Sequence, residues 1–210
     1  MTEFADRLLA LVGHDVPLRT EQVSQLEQHF ELLRRWNRKL NLTAVRDKAD
    51  AIERHYAESA YFGHVLGTYV SDTLGLQAAT AADVGSGAGF PGFVLAVLYP
   101  SWTVALLESH RRKAVFLAEA TRRLENVRVV SARAEDVSER FDCVVSRAVR
   151  PNDVLAVLPR LGRLVGLLVS AAQAKEFAAS AVRWDVAVPL PWAPTRVALI
   201  GVPRETLGNT

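Results

Sequence analysis

Asp83-Val84-Gly85-Ser86-Gly87-Ala88-Gly89-Phe90-Pro91-Gly92 is the stretch on which the fold turns. It sets four glycines within eight residues, between an apolar lead-in (Ala81, Ala82, Val84) and a second apolar run from Phe93 to Leu98. Glycine tolerates positive φ and lets a backbone approach a ligand with no Cβ in the way. The pattern predicts a strand, a glycine turn and a helix with Pro91 at its first position. Backbone N–H groups in such a turn face a nucleotide-like ligand. An ordinary tight turn is the alternative for a glycine motif standing alone.

The run can be parsed in two ways. Gly87 to Gly92 fits the dinucleotide pattern G-x-G-x-x-G. Asp83 to Gly89 resembles motif I of S-adenosylmethionine-dependent methyltransferases. The second parse gives Asp83 a task, because its carboxylate suits the cationic aminoacyl end of S-adenosylmethionine and would repel a pyrophosphate. Both parses want a ribose-binding acid after the next strand, and Glu108 stands 19 positions after Gly89 (108 − 89). The third element separates them. Asn126 to Val130 reads as a short strand, followed by the turn Ser131-Ala132-Arg133-Ala134-Glu135-Asp136. In methyltransferases of this type, that turn lays an Ala-Glu or similar pair along the adenine ring. Alone, Glu135 and Asp136 read equally well as acids favoured at a helix start. Together with the glycine loop and Glu108, they put the methyltransferase reading ahead.

Composition bounds the answer. The chain has 210 residues, 50% hydrophobic and 23% charged, which predicts one globular domain with an appended subdomain. No stretch reaches the roughly 18 apolar residues of a membrane span, and Met1 to Asp6 does not resemble a secretory signal. Cys143 is the only cysteine, so neither an internal disulfide nor a cysteine-based zinc site is expected. These features predict a cytoplasmic protein without a metal; a monomer is expected, although the sequence does not fix the oligomeric state. The net charge of +2 argues little by itself.

Its distribution argues more. Residues 34–48 hold Arg34, Arg35, Arg38, Lys39, Arg46 and Lys48 against one acid, Asp47. Upstream, Val23, Leu26, Phe30 and Leu33 form an apolar helical stripe that Trp36 and Leu40 extend. A second helix is expected from about Asp50 to Leu66. The cationic helix end reads either as an RNA-backbone contact or as a solvated terminus matched to the macrodipole.

From Asp83 onward, short apolar runs alternate with helical patterns, as in βαβ units. Strands are expected near 80–84, 103–107, 126–130, 141–146 and 163–169, with helices near 91–98, 110–124 and 151–160. Val182 to Val188 and Arg196 to Val202 alternate as an antiparallel hairpin around Pro189, Pro191, Trp192 and Pro194. The expected fold is α/β: a Rossmann-like, mostly parallel sheet of the class I methyltransferase type with an antiparallel C-terminal hairpin. An N-terminal helical cap over residues 1–70 would precede a methyltransferase domain over 71–210, with a hinge in Gly67 to Ala79.

Trp36-Asn37-Arg38-Lys39-Leu40-Asn41-Leu42-Thr43-Ala44-Val45-Arg46-Asp47, Arg54-His55-Tyr56-Ala57-Glu58-Ser59, Asp83 to Gly92 and Ser146-Arg147-Ala148 form a series with consistent spacing. Across about residues 20–165 it resembles the ribosomal RNA small-subunit methyltransferase G family, also called glucose-inhibited division protein B. The Trp-Asn-x-x-x-Asn-Leu-Thr block is specific to that family, whereas the glycine loop is shared across the superfamily. The resemblance implies methyl transfer from S-adenosylmethionine to N7 of a guanine in 16S rRNA, near the decoding region of the 30S subunit. By position it implies cofactor contacts at Gly85, Gly87, Phe90, Ala134, Glu135 and Arg147, with Glu108 on the ribose.

Absent residues fit that chemistry. A C5-pyrimidine methyltransferase needs a cysteine nucleophile, and Cys143 lies inside the apolar run Phe141 to Val145. An exocyclic-amine enzyme carries Asn/Asp-Pro-Pro-aromatic after the fourth strand, where this chain reads Ser146-Arg147-Ala148-Val149. Guanine N7 needs neither, since its in-plane lone pair is nucleophilic and carries no proton. Alignment then supplies most of the catalysis. Arg147 is the candidate catalytic residue, orienting the cofactor carboxylate or guanine O6 and phosphate through bidentate donors. An ion pair with Glu135 or Asp142 is its structural alternative. Arg38, Lys39, Asn41 and His55 are candidate RNA contacts, and Arg111, Arg112 and Lys113 stand at the same rim.

Two departures from the family stand out. Its Lys-Gly after the fifth strand is replaced by Ser170-Ala171, with Lys175 further on, and its Asp in the His-containing block is Glu58. The alternative function is a cofactor-binding methyltransferase fold with another acceptor or without catalysis. An NAD-dependent oxidoreductase is a third reading.

Overall fold

The computed structural model describes residues 2–147, 155–178 and 180–204. The cap begins with α1 (Glu3–Val12), which the sequence reading did not anticipate, and α2 (Thr20–Asn37). Thr2 caps α1 by accepting from the Ala5 N–H at 3.2 Å. One continuous helical rod follows in three parts: α3 (Lys48–Ala51), a π-helical turn (Ile52–Ala57) and α4 (Glu58–Leu74). Gly75, at φ 66°, ends α4 in the left-handed conformation. The rod is longer than the helix expected from about Asp50 to Leu66 and runs through the expected hinge at its start.

The body is a seven-stranded sheet: β1 (Thr80–Val84), β2 (Thr103–Leu107), β3 (Val127–Val130), β4 (Phe141–Arg147), β5 (Gly162–Ser170), β6 (Val182–Leu190) and β7 (Ala193–Pro203). Its order is β3-β2-β1-β4-β5-β7-β6. The first five strands pair in parallel, while β7 runs antiparallel to both β5 and β6. The remaining described α-helices are α5 (Gly92–Leu98), α6 (Arg111–Ala120), α7 (Leu158–Leu161) and α8 (Ala171–Phe177). All expected strands are present, the reversed hairpin included. The expected helix near 151–160 lies partly outside the described residues.

Boundaries of α5 and α6 also differ from expectation. Pro91 is the N-cap of α5 rather than its first residue. Helix α6 stops at Ala120 and not near 124, because Thr121 turns its hydroxyl back to the Leu117 carbonyl and the chain closes a turn from Leu124 to Thr121.

Strand residues alternate between two apolar layers. Ala81, Val104, Leu106, Cys143, Val145, Leu164 and Ile200 join the cap helices in one core. Ala82, Ala105, Leu107, Val144, Val165, Leu167 and Leu199 face the other way, toward Leu158, Leu161 and Phe177. Each fully buried leucine or phenylalanine contributes about 1.5–3 kcal/mol, so the cap is held to the sheet by the same force that forms the sheet. Buried Gln22 adds a polar tie, donating from α2 to the Val97 and Leu98 carbonyls at 2.8 and 3.1 Å. Those carbonyls end α5 and lack helical partners. The strand order reverses between β1 and β4, and the ends of β1, β2, β3 and β4 meet on one edge. Open α/β sheets bind ligands at such a switch point.

Candidate active site

The glycine loop closes tightly over that edge. Gly85, Gly87 and Gly89 adopt φ values of 72°, 57° and 93°, a region that side chains disfavour. The Gly85 and Ser86 N–H groups donate to the Leu107 carbonyl, and those of Gly89 and Phe90 to the Ser86 carbonyl. A Cβ on Gly85 would meet nothing within 4 Å, so the loop there faces open space. Gly92 is the opposite case: its Cβ would lie 2.6 Å from Asp83 Cβ and 2.4 Å from Leu106 Cδ2. The helix start therefore packs directly onto β1.

Two carboxylates hold the loop from below. Glu108, at the end of β2, accepts from the Gly87 N–H at 2.9 Å and the His110 N–H at 2.7 Å. Asp83 Oδ2 accepts from the Gly92 N–H at 2.9 Å, while its Oδ1 is buried with no partner. Burial raises the Asp83 carboxyl to about 7, with the Gly92 N–H opposing and the Glu108 charge adding to the rise. Such a group is only partly ionised at neutral pH until a donor or cation arrives.

Arg147 ends β4 beside this loop. Its guanidinium meets Glu58 at 3.3 Å, and its second nitrogen Nη1 is buried without a partner. Burial lowers its pKa to about 10, with Glu58 opposing, so it stays charged at neutral pH. The pairing with Glu135 or Asp142 does not occur; Asp142 instead pairs with Arg163 at 3.2 Å and binds Thr80. Glu58 also meets Arg196 of β7 at 3.2 Å. Glu58 is thus a buried acid between two cations, a role that the sequence reading missed. The available signal was an acid amid His55, Tyr56, Ala57, Ser59 and Ala60, a buried run. The π turn just before it closes with the Glu58 N–H on the Glu53 carbonyl, and such insertions recur at functional sites.

The family-specific block forms one network. Asn37 accepts from the Leu42 and Thr43 N–H groups and donates to the Thr43 carbonyl, which ends α2 and reverses the chain. The Thr43 hydroxyl meets His55 Nε2 at 2.7 Å. His55 then stacks on Phe90 with ring centroids 4.9 Å apart. Burial, with the Arg147 charge next, pushes His55 down to about 3, so its ring is neutral. The Phe90 ring accordingly faces His55, Tyr56 and His29 in the cap. Arg38, Lys39 and Asn41 are exposed at the end of α2, and His55 is buried beneath them.

On the far side, Ala134 and Glu135 form a single 3-10 turn with Asp136. Arg160 of α7 donates to the carbonyls of Ala134, Glu135 and Val137 at 3.1, 3.1 and 2.9 Å. It was not anticipated, because nothing in its spacing links it to residue 134. Because this turn frames the proposed cofactor edge, Arg160→Ala is expected to weaken S-adenosylmethionine binding about 5–10-fold, the scale of one ordinary hydrogen bond of about 1 kcal/mol. Isothermal titration of the variant checks this. At the end of β5, Ser170 caps α8 and lies opposite Arg196 in the β7 register, while Lys175 is exposed on α8. A guanidinium therefore stands across from the position where Lys-Gly was expected.

Residues 22–178 match the family model described as rRNA small subunit methyltransferase G. The chain belongs to this family. Among relatives, the ribosomal RNA small subunit methyltransferase G of Lactococcus lactis subsp. cremoris (strain MG1363) is 34% identical over 180 residues, covering 80% of this chain and 73% of that protein. The protein of the same name from Dichelobacter nodosus (strain VCS1703A) is 39% identical over 137 residues, covering 63% of this chain and 61% of its own length. Two solved structures share this chain's fold. A ribosomal protein L11 methylase from Lactobacillus delbrueckii subsp. bulgaricus superposes with a TM-score of 0.54 at 16% identity, over 70% of this chain and 80% of that one. The Methanococcus jannaschii fibrillarin pre-rRNA processing protein gives 0.50 at 15% identity, over 61% and 67%. The sequence resemblance to methyltransferase G and the class I fold are both confirmed.

Proposed function

We propose that the chain transfers a methyl group from S-adenosylmethionine to N7 of a guanine in 16S rRNA. The observation that carries the cofactor is the pair of orphaned groups at the switch point: Asp83 Oδ1, on a carboxyl that ionises near neutral pH, and Arg147 Nη1, on a charged guanidinium. An α-amino acid presents the complementary ammonium and carboxylate. The remaining residues fit the same cofactor. Glu108 keeps unused lone pairs that would accept from ribose hydroxyls, the open side of Gly85 and Gly87 would admit the chain between them, and Ala134-Glu135 would border the adenine. When bound, S-adenosylmethionine supplies a methyl group on a positively charged sulfur.

The chain's own part is to bind and orient. Guanine N7 needs no base, which agrees with a neutral His55 that is already occupied between Thr43 and Phe90. His55 serves as a positioning residue, linking the Asn41–Thr43 turn to the glycine loop. Cys143 is buried, with its thiol pushed far up by burial, and is not a nucleophile. RNA engages residues 1–70, the cap, while residues 71–210 hold the cofactor. A groove of about 330 Å³ there is lined by Arg34, Arg35, Arg38, Arg46 and Lys48 against Glu31 and Asp47. Exposed cations of this kind position a phosphodiester backbone. Beside it, the Asn41 side chain accepts from the lining Arg46 at 3.3 Å, and Lys39 is exposed next to Arg38.

The test is transfer of labelled methyl to 30S subunits from a strain lacking the activity, followed by borohydride reduction and aniline cleavage at 7-methylguanosine. One cleavage near the decoding region is expected. Labelling without cleavage would assign a different acceptor atom, and binding without labelling would favour the catalysis-free reading.

A further inference from the structure

Three surface grooves differ in their chemistry. One of about 940 Å³ between α2 and the end of α6 mixes Glu21, Glu27, Glu31 and Glu119 with Arg35, Arg122 and Arg123. A second is the phosphate groove described above. The third, about 520 Å³, is lined by Arg35, Trp36, Lys39, Leu40, Arg112 and Val115, with no acid among them. Its volume is that of a small-ligand site, about 300–1,000 Å³.

Its floor is apolar. Val115, 59% exposed, is the one large hydrophobic side chain that is exposed among the described residues. Trp36 is half-buried, its ring set edgewise on Phe116 at 5.8 Å and 64°, which fixes the plane of the indole. Arg35, Lys39 and Arg112 are exposed, and none of the three forms an ion pair among the described residues. A lone exposed valine needs no explanation. An apolar floor inside a rim of three cations does, because it leaves apolar area in water and crowds like charges. Its complement is a ligand with a flat apolar face and flanking negative charge. An unpaired nucleotide has both.

We propose that this groove between α2 and α6 seats an unpaired base of the substrate RNA other than the target guanine. The base stacks on Trp36 over Leu40 and Val115, and Arg35, Lys39 and Arg112 take the adjoining phosphates. The inference rests on the rRNA reading above and adds a second foothold to it. Helix α6 begins three residues after Glu108 (111 − 108), and Trp36 precedes the Asn37 that organises the Thr43–His55 link. The groove therefore borders the active edge, within reach of nucleotides near the target. Sequence-tolerant stacking of splayed bases on aromatic rings is how single-stranded RNA is held.

The test compares binding of the full chain to a short single-stranded RNA and to the same backbone with abasic sites, at fixed low salt. The wild type is expected to prefer the base-bearing strand about 10-fold, the scale of one stacked base. Val115→Asp is expected to abolish that preference, and Arg112→Glu to weaken both strands alike. Unchanged S-adenosylmethionine binding by Val115→Asp shows that the variant is folded. Persistence of the preference in Val115→Asp, or its absence in the wild type, overturns the proposal. So does a concentration-dependent dimer that Val115→Asp disrupts, which would assign the groove to a second copy of the chain. If the preference is lost in Val115→Asp while the wild type fails to methylate 30S subunits, the proposed function falls and the groove stands as a single-stranded RNA site.

Discussion

Glu58→Ala is expected to melt roughly 6–12 °C below the wild type and to lose most of its affinity for S-adenosylmethionine. Glu58 is 2% exposed and is the carboxylate shared by Arg147 and Arg196. Removing one member of a buried ion pair costs about 3 kcal/mol, because the partner charge is left uncompensated. For a domain of this size, each kcal/mol lowers Tm by about 2–4 °C. Two guanidiniums would then repel each other at the edge of the site, and Arg147 would lose the anchor that aims its free nitrogen. A double variant distinguishes the two effects. Adding Arg147→Met to Glu58→Ala is expected to recover part of the stability, since the uncompensated charge is gone, but none of the binding. Thermal melts and titration calorimetry read the two arms. A Glu58→Ala protein as stable as the wild type would show that the triad contributes nothing.

Asp83→Asn is expected to reduce cofactor affinity about 10–100-fold while stabilising the free protein above neutral pH. An amide keeps an acceptor for the Gly92 N–H but offers no charge to an ammonium, and a hydrogen bond to a charged group contributes about 1.5–3 kcal/mol. The pH dependence follows from linkage. Below pH 3.8 the carboxyl is protonated in both folded and unfolded chains; between 3.8 and about 7 only the unfolded chain has released its proton. The folded state therefore loses stability as pH rises through that window, and the loss is complete above it. The difference in stability between wild type and Asp83→Asn should grow from pH 4 to 7 and then level off. In the wild type, S-adenosylmethionine binding should strengthen as pH rises toward 7, as Asp83 ionises. A flat difference curve would mean that Asp83 is ionised throughout.

The sheet was legible because its strands are short buried runs bounded by glycine, proline or polar turns, and hydrophobic pattern reports burial directly. The glycine loop and Glu108 were legible for a related reason: positive φ and a fixed offset leave local marks. What escaped was non-local. Glu58 read only as a replacement for the family's Asp in the His-containing block, since its partners lie on β4 and β7. Arg160 looked like one more surface arginine, although it donates to three carbonyls some 23 to 26 residues away. His55 carries no sign in the sequence of whether it meets solvent or a ring. The end of α2 was also misread: Trp36 and Leu40 continue the apolar stripe, but the Asn37 side chain ends the helix between them.

The Arg196–Glu58 contact joins residues 138 positions apart. Chains emerge from the ribosome at about 5–20 residues per second and fold from the N-terminal side first. The cap and the first parallel strands can therefore assemble while β7 is still being translated, with Glu58 facing Arg147 alone. The charge cluster at the site closes only once Arg196 has been synthesised and β7 has entered the sheet between β5 and β6. The cap and the parallel strands thus take shape before the charge cluster at the site is complete.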